Sequence, residues 1–373
     1  MVEAKKREVV ERILAAADIS INGNNPWDLE VKHQDFYGKV LRDGSIGLGE
    51  SYMEGWWDCG CLPELFRRLI PSEPEKELRK NLKMIVYLFQ SVVLNPGRNS
   101  KAYEIGQRHY DIGNDLYRCM LDKRMVYSCA YWKDAENLDD AQEAKLDLIC
   151  RKLGLKAGDR VLDIGCGWGS FAKYAAEKYG VRVVGITVSR EQAELGSRLC
   201  DGLPVDIRLQ DYRDVAEQFD HIVSVGMFEH VGYRNYRTYM ETARRCLSDD
   251  GLFLLHTIGN GRSSHTGDPW INKYIFPNSM IPSMKQICGS VEGLFLIEDM
   301  HNFGIDYDRT LLEWLNNFEM NWDELKKSYD ERFRRMWRYY LQIFAGAFRA
   351  RYLHVWQLVL SKKGVAGGYR SVR

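Results

Sequence analysis

Between residues 137 and 256 the apolar positions alternate between two arrangements. Short continuous apolar runs at 161–164, 181–186, 204–209, 219–226 and 252–256 predict five buried strands. Between them lie segments of helical period at 137–153 and 171–179, and another that opens with Ser189-Arg-Glu-Gln192, the spacing of a capping box. Strands alternating with helices predict an α/β fold whose parallel sheet is wound on both faces. Elsewhere the pattern changes. Residues 5–18 place Val9, Val10, Ile13, Leu14 and Ala17 at helical spacing, 27–31 reads as a short strand, and 35–41 as a helix. Gly44, Gly47 and Gly49 precede an aromatic helix and suggest close backbone packing, and 62–93 reads as two helices with Pro71 and Pro74 between them. Residues 95–101 have linker composition. The expected division is a mainly helical domain at 1–93, a linker at 94–102 and a larger domain at 103–373. Residues 257–283 are irregular, a length that inside a compact domain is usually functional, often a lid. The stretch 311–360 reads as helical and is dense in aromatic residues, from Trp314 to Trp356.

The run 161–164 breaks into Gly165, Gly167 and Gly169, with Asp163 two residues before the first, and a helical segment follows at once. Only glycine lets a backbone approach a ligand so closely. The spacing is G-x-G-x-G, not the G-x-G-x-x-G of dinucleotide sites. It resembles the first motif of S-adenosylmethionine-dependent methyltransferases, whose ligand has no pyrophosphate. In a doubly wound sheet the ligand lies beyond the carboxyl ends of the strands. Four of those ends carry polar or glycine residues: 165–169, 210–212, Glu229 and His256.

The 373 residues balance 52 Lys and Arg against 52 Asp and Glu, so overall charge selects no partner. The distribution is uneven: 324–373 holds twelve Lys and Arg against three Asp and Glu. Such a block suits attraction to phosphates, whether of lipid or nucleic acid, or a solvated helix face. Nine cysteines, with no C-x-x-C pair, suit buried reduced thiols, and no metal site is expected. The N-terminal residues lack a signal-peptide pattern and no run reaches the ~20 apolar residues of a membrane span, so a cytoplasmic protein is expected. No recognition module and no Asn/Asp-Pro-Pro-Tyr loop accompanies the glycine motif, which argues against a nucleic-acid methyltransferase and against nucleic acid as a partner. The Trp56-Trp57 pair suits either a core or a lipid interface.

Six stretches together resemble the cyclopropane-fatty-acyl-phospholipid synthases and the related mycolic acid methyltransferases. They are His109-Tyr-Asp-Ile-Gly-Asn-Asp-Leu-Tyr117, Tyr127-Ser-Cys-Ala-Tyr-Trp132, Val161-Leu-Asp-Ile-Gly-Cys-Gly-Trp-Gly169, Val225-Gly-Met-Phe-Glu-His-Val-Gly232, Leu254-Leu-His-Thr-Ile-Gly259 and Asn302-Phe-Gly-Ile-Asp-Tyr307. A seventh, Gly47-Leu-Gly-Glu-Ser-Tyr-Met-Glu-Gly-Trp-Trp57, resembles the phospholipid-acting synthases specifically. The resemblance implies a Rossmann-like S-adenosylmethionine-dependent methyltransferase fold with a small, mainly helical N-terminal domain. The implied chemistry moves a methyl group from the sulfonium to a cis-alkene of a phospholipid acyl chain. A base then removes a proton from the carbocation to close a cyclopropane ring.

The family is understood to use a bound bicarbonate as that base, because an ordinary side chain risks methylation. By motif, Cys129, Glu229, His256, Tyr307 and the backbone at Ile258 would hold it. Glu229 beside an anion requires that one of them carry a proton or that His256 be cationic. For S-adenosylmethionine the implied residues are Tyr127, Ser128, Asp163, Gly165, Gly167, Gly169, Thr187, Gln192 and Tyr212. Gly185-Ile-Thr-Val188 lacks the acid that commonly ends the second strand to hold the ribose, and Thr187 and Gln192 are the substitutes. The implied partners are the phospholipid, the membrane surface touched peripherally on its inner face, and a second copy of the chain. Residues 1–93 would serve lipid contact or dimer support, and the aromatic stretch could wall a tunnel for the acyl chain. The alternative product is methyl or methylene branching of the unsaturated chain. An inert lipid-binding protein would not need the intact glycine motif together with Cys129, Glu229, His256 and Tyr307.

Overall fold

The computed structural model describes residues 2–73 and 113–373. The linker at 94–102, the second of the helices expected over 62–93, and residues 109–112 of the first family stretch lie outside the described residues. The chain forms two compact units, each drawn from more than one part of the sequence.

The first unit contains the helices Val2–Ala15, Phe36–Asp43, Ser45–Met53, Leu62–Leu69 and Asn114–Met120, joined by Gly267–Asn278 and Leu311–Tyr352. Its two-residue strands β1 (Glu30–Val31) and β2 (Trp57–Asp58) pair antiparallel. Gly47 and Gly49 lie inside the helix they were expected to precede. A Cβ on either would overlap the Lys39 carbonyl or the Trp270 indole, so both neighbours depend on the missing side chain. The tryptophan pair divides. Trp57 is fully buried and donates its indole N–H to the Leu48 carbonyl at 3.0 Å, whereas Trp56 is half-buried and stacks on His33 at 4.6 Å. Tyr339, on the helix Glu331–Arg349, meets the rings of Tyr52, Phe66 and Trp270 at centroid distances of 5.4, 5.4 and 4.6 Å. The aromatic helices expected within 103–373 thus fold with the N-terminal helices, because their rings find apolar partners there.

The second unit is built on a seven-stranded sheet. Its strands are β3 (Arg160–Ile164), β4 (Arg182–Thr187), β5 (Val205–Leu209), β6 (Phe219–Val225), β7 (Leu247–Asn260), β8 (Leu296–Asn302) and β9 (Leu353–Ser361), in the order β5-β4-β3-β6-β7-β9-β8. The first five are parallel; β9 is antiparallel to β7, and β8 to β9. Asn137 caps the helix Leu138–Leu153, and Gly154 ends it in the left-handed conformation. Ser189 caps Arg190–Leu199, but only half of the expected capping box forms. The Gln192 side chain accepts from Thr187 instead of reaching back to the Ser189 N–H.

Two strands were not foreseen. Leu353–Leu360 was read as the end of a helix, yet Arg351 turns at φ +57° and, after Tyr352, the nine residues Leu353–Ser361 form β9 between β7 and β8. A strand buried on both faces has no alternating pattern and cannot be told from a core helix by hydrophobicity. Pairing with β9 also carries β7 past His256 to Asn260, into the stretch read as irregular, which further on contains the helix Pro269–Tyr274. Nine of the twelve basic residues in 324–373 are ion-paired, among them Arg335 with Asp58 and Arg373 with Asp299. The local excess of positive charge is therefore largely offset within each unit. Among the described residues no helix is long and apolar enough to cross a membrane.

Candidate active site

β3 has β4 on one side and β6 on the other, so the strand order reverses there and a crevice opens beyond the carboxyl ends. The chain turns as soon as β3 ends: the N–H groups of Gly165 and Cys166 donate to the Ile186 carbonyl at 2.9 and 3.0 Å. Gly165, Gly167 and Gly169 stand at φ +81°, +56° and +80°. A Cβ on Gly165 would lie 2.6 Å from Met227 Cγ, just beyond β6, so the two strand-end loops close on each other only because the side chain is absent. Around Gly167 no heavy atom lies within 4 Å of the Cβ position, leaving the backbone bare to an incoming ligand.

Asp163 is 2% exposed, and its Oδ2 has no hydrogen-bond partner among the described residues. Burial pushes its carboxyl up to about 7, against the opposing pull of Lys145. Lys145 is 1% exposed and donates to Ser128 Oγ at 2.8 Å. Burial draws its ammonium down to about 8, opposed by Asp122, Cys129 and Asp163. One turn earlier, Gln142 donates to the carbonyls of Ser128 at 2.9 Å and Val126 at 3.3 Å. Residues 126–130 belong to no helix or strand, so buried side chains must satisfy their backbone. Sequence reading missed Lys145 and Gln142. Their signal was polarity on the stripe that also carries Ala141, Leu146 and Ile149.

The remaining cofactor candidates gather at neighbouring strand ends. Thr187 closes β4 and donates its hydroxyl to Gln192 Oε1 at 2.9 Å. Tyr212 begins a single 3-10 turn after β5, its ring 5.0 Å edge-on to Tyr239. Tyr127 is half-buried, next to Ser128.

The acid–base groups lie beyond β6 and along β7. Parallel register sets His256 opposite Val225, the last residue of β6, and Glu229 follows in the 3-10 turn Phe228–His230. The Ile258 N–H donates to Glu229 Oε1 at 2.6 Å, while Glu229 Oε2 has no partner among the described residues. Burial pushes this carboxyl up to about 7; hydrogen bonding from the Ile258 N–H and the neighbouring Thr257 restrains the rise. His256 moves the opposite way. Burial holds it well below the usual imidazole range, and Lys145, Lys152 and His301 push it lower. Gln357 on β9 places its amide nitrogen 3.2 Å from His256 Nδ1. This contact orients the neutral ring. At neutral pH, therefore, His256 is not cationic, and Glu229, raised to about 7, is the group able to take up a proton beside an anion.

Cys129 and Tyr307 are positioned by other elements. The Cys129 thiol donates to the Ala130 carbonyl at 3.2 Å, and burial with nearby Asp306 raises it well above the normal thiol range. Thr310 Oγ1 accepts from the Ala130 N–H at 3.2 Å and the Trp132 indole at 2.9 Å, and Asp306 accepts from the Trp132 N–H at 2.8 Å. These bonds tie 129–132 to the first turn of the helix Ile305–Met320, which carries Tyr307. That turn hangs on β9 through Phe303 N–H to the Val355 carbonyl at 3.2 Å, and Val355 faces Ile258 across the sheet. One frame thus joins Cys129, Tyr307, Ile258 and Glu229. Thr310→Val is expected to leave two buried donors unpaired and to destabilise by about 2–4 kcal/mol, read by urea denaturation. A stability change near zero would show that other groups satisfy these donors.

The family described as mycolic acid cyclopropane synthetase matches residues 98–358. Over 365 residues the chain is 52% identical to the cyclopropane-fatty-acyl-phospholipid synthase of Escherichia coli (strain K12), covering 98% of this chain and 95% of the other. The cyclopropane synthase MmaA2 from Mycobacterium tuberculosis superposes with a TM-score of 0.65 at 31% identity, over 71% of this chain and 100% of that one. The mycolic acid cyclopropane synthase CmaA1, solved in complex with SAH and CTAB, superposes with a TM-score of 0.64 at 33% identity, over 70% and 98%.

Proposed function

The chain belongs to the mycolic acid cyclopropane synthetase family, and on that premise we propose that it closes a cyclopropane ring on the cis double bond of a phospholipid acyl chain. The fold is that of a Rossmann-like S-adenosylmethionine-dependent methyltransferase, and the protein is a methyltransferase that modifies unsaturated acyl chains. What supports ring closure is the buried Glu229, pinned through Oε1 to the Ile258 N–H and carrying a free Oε2 beside neutral His256.

S-adenosylmethionine supplies an electrophilic methyl group when bound. Gly167 offers it bare backbone, Gly165 the turn closed by Met227, Asp163 a buried carboxyl, and Ser128 a hydroxyl oriented by Lys145. Bicarbonate would supply a base that a sulfonium cannot remove by methylating the protein. The residues that would hold such an oxyanion are Glu229 through its unpartnered Oε2, His256 through a ring nitrogen, the hydroxyl of Tyr307, and the thiol of Cys129, which would turn to it from the Ala130 carbonyl. The Ile258 N–H acts one step back, holding Glu229. Tyr307 also offers a ring face able to stabilise positive charge on the substrate. The protein would work as a peripheral homodimer on the inner face of the membrane, where a second copy doubles weak lipid contacts.

The direct test incubates the protein with S-adenosylmethionine and vesicles bearing cis-monounsaturated chains. The expected product chain gains one CH2 and shows upfield cyclopropane protons by NMR, and its yield falls in carbonate-free buffer. Olefinic or branched-methyl signals would replace ring closure with branching. Undiminished turnover without carbonate would remove bicarbonate from the site.

A further inference from the structure

We infer that a cavity beside the Glu229 turn, lined by Gly232, Tyr233, Arg234, Asn235 and His265, seats the phosphate-bearing headgroup of the lipid whose chain is modified. The inference rests on the lipid-modifying function proposed above and adds a binding site to it. It is an open surface pocket of about 530 Å³, with Tyr233, Arg234, Asn235 and His265 all exposed at its rim, as suits a headgroup that stays in contact with water.

Its chemistry selects an anion. No carboxylate lines it, and two of its five lining residues carry nitrogen side chains suited to phosphate. Arg234 has no ion-pair partner among the described residues. The nearby Arg237, by contrast, is occupied by Glu241 at 3.1 Å and by the Glu292 carbonyl at 2.6 Å. A guanidinium without a partner presents five donors in a planar fork that matches phosphate oxygens. His265 lies edge-on to Tyr233 with ring centroids 4.6 Å apart, so imidazole and phenol reach the cavity as one oriented pair. Asn235 has a shaping role: its side chain donates to the Val231 carbonyl at 2.9 Å and its N–H to the Gly232 carbonyl at 2.9 Å.

Position links the cavity to the reaction. Glu229 and Tyr233 are four residues apart, so their Cα atoms lie within about 14 Å of each other even for a fully extended chain. The two 3-10 turns, Phe228–His230 and Tyr233–Asn235, shorten that span. A double bond part-way along an acyl chain lies at some distance from its headgroup. A headgroup site beside the turn that carries Glu229, but not in it, meets that need. Free phosphate shares the same chemistry, and the test separates the two.

The test compares wild type with Arg234→Ala, Arg234→Lys and His265→Ala, each as the full chain. The binding probe is dihexanoyl phosphatidylglycerol, which carries a headgroup but no double bond, so binding is read by calorimetry whether or not turnover occurs. Arg234→Ala is expected to weaken it about tenfold, as loss of a charged contact does, with Arg234→Lys recovering part and S-adenosylmethionine affinity unchanged. In the turnover assay the apparent KM for cis-monounsaturated phosphatidylglycerol vesicles should rise by a similar factor while kcat holds. The methyl ester of the same fatty acid, which has no headgroup, should be converted equally by wild type and variant. Equal affinity of wild type and Arg234→Ala for the dihexanoyl lipid would overturn the inference. Inorganic phosphate binding as tightly as the lipid probe would assign the cavity to free phosphate and overturn it too. If wild type binds the probe through Arg234 but converts no vesicle lipid, the proposed function fails while the headgroup site stands.

Discussion

Glu229→Gln is expected to lower kcat by about 10²–10⁴, the usual worth of a group that manages a proton in the transition state, while S-adenosylmethionine still binds. The substitution is nearly isosteric, and its amide oxygen can keep the 2.6 Å bond from the Ile258 N–H. What it removes is the ionisable Oε2, which now has no partner among the described residues. Stability should move the other way. Burial raises this carboxyl from its ordinary value of 4.5 to about 7 on folding. Between those values the native state holds a proton that the unfolded chain releases. Glu229 therefore costs stability progressively as pH rises through that window. The glutamine variant has no such loss, so it should gain on wild type between pH 5 and pH 8 in urea denaturation. A variant that turns over normally would take Glu229 out of the chemistry. One whose stability tracks wild type at both pH values would show that the carboxyl is not held up by burial.

Lys145→Met should be the most damaging single change to the second unit. The ammonium is buried, donates to Ser128 Oγ at 2.8 Å, and opposes the upward shift of the Asp163 carboxyl. Methionine fills similar volume but leaves the Ser128 hydroxyl without its donor and the Asp163 carboxyl without that opposing charge, a loss of about 1–3 kcal/mol for the unmet buried polar group alone. The penalty should shrink on acidification, because Asp163 sits near 7 already and is carried neutral below it. Urea denaturation at pH 6 and pH 8 reads this directly: the gap from wild type should be wider at pH 8. Weaker S-adenosylmethionine binding should accompany it, since Ser128 loses the donor that orients its hydroxyl. An equal gap at both pH values would mean that Lys145 does not govern Asp163.

Much of the site was legible because its signals are local. The glycine spacing at 165–169 follows from positive φ at three alternate residues, and a helix start such as Asn137 declares itself by its cap. Glu229 and His256 stood out as polar residues at the ends of apolar strands, and parallel register sets His256 opposite Val225, four residues before Glu229. Lys145, Gln142, Gln357 and Thr310 carried no such mark. Each matters through a partner far away in the chain: Thr310 meets Ala130 across 180 residues, and Gln357 meets His256 across 101.

By itself, the order of residues determined the strand and helix alternation, the bare glycine turn and the set of candidate acids and bases, since these depend on neighbours within a few positions. Only the tertiary structure decided that Leu353–Ser361 is a strand, that the aromatic helices fold with the N-terminal ones, and that Gln192 serves Thr187 instead of a capping box. It also decided where the protons lie, with Glu229 and Asp163 raised and His256 and Lys145 lowered. The reason is the same in each case. Which strand pairs with which, and how much water a charge loses, are set by segments that approach only when the chain has folded.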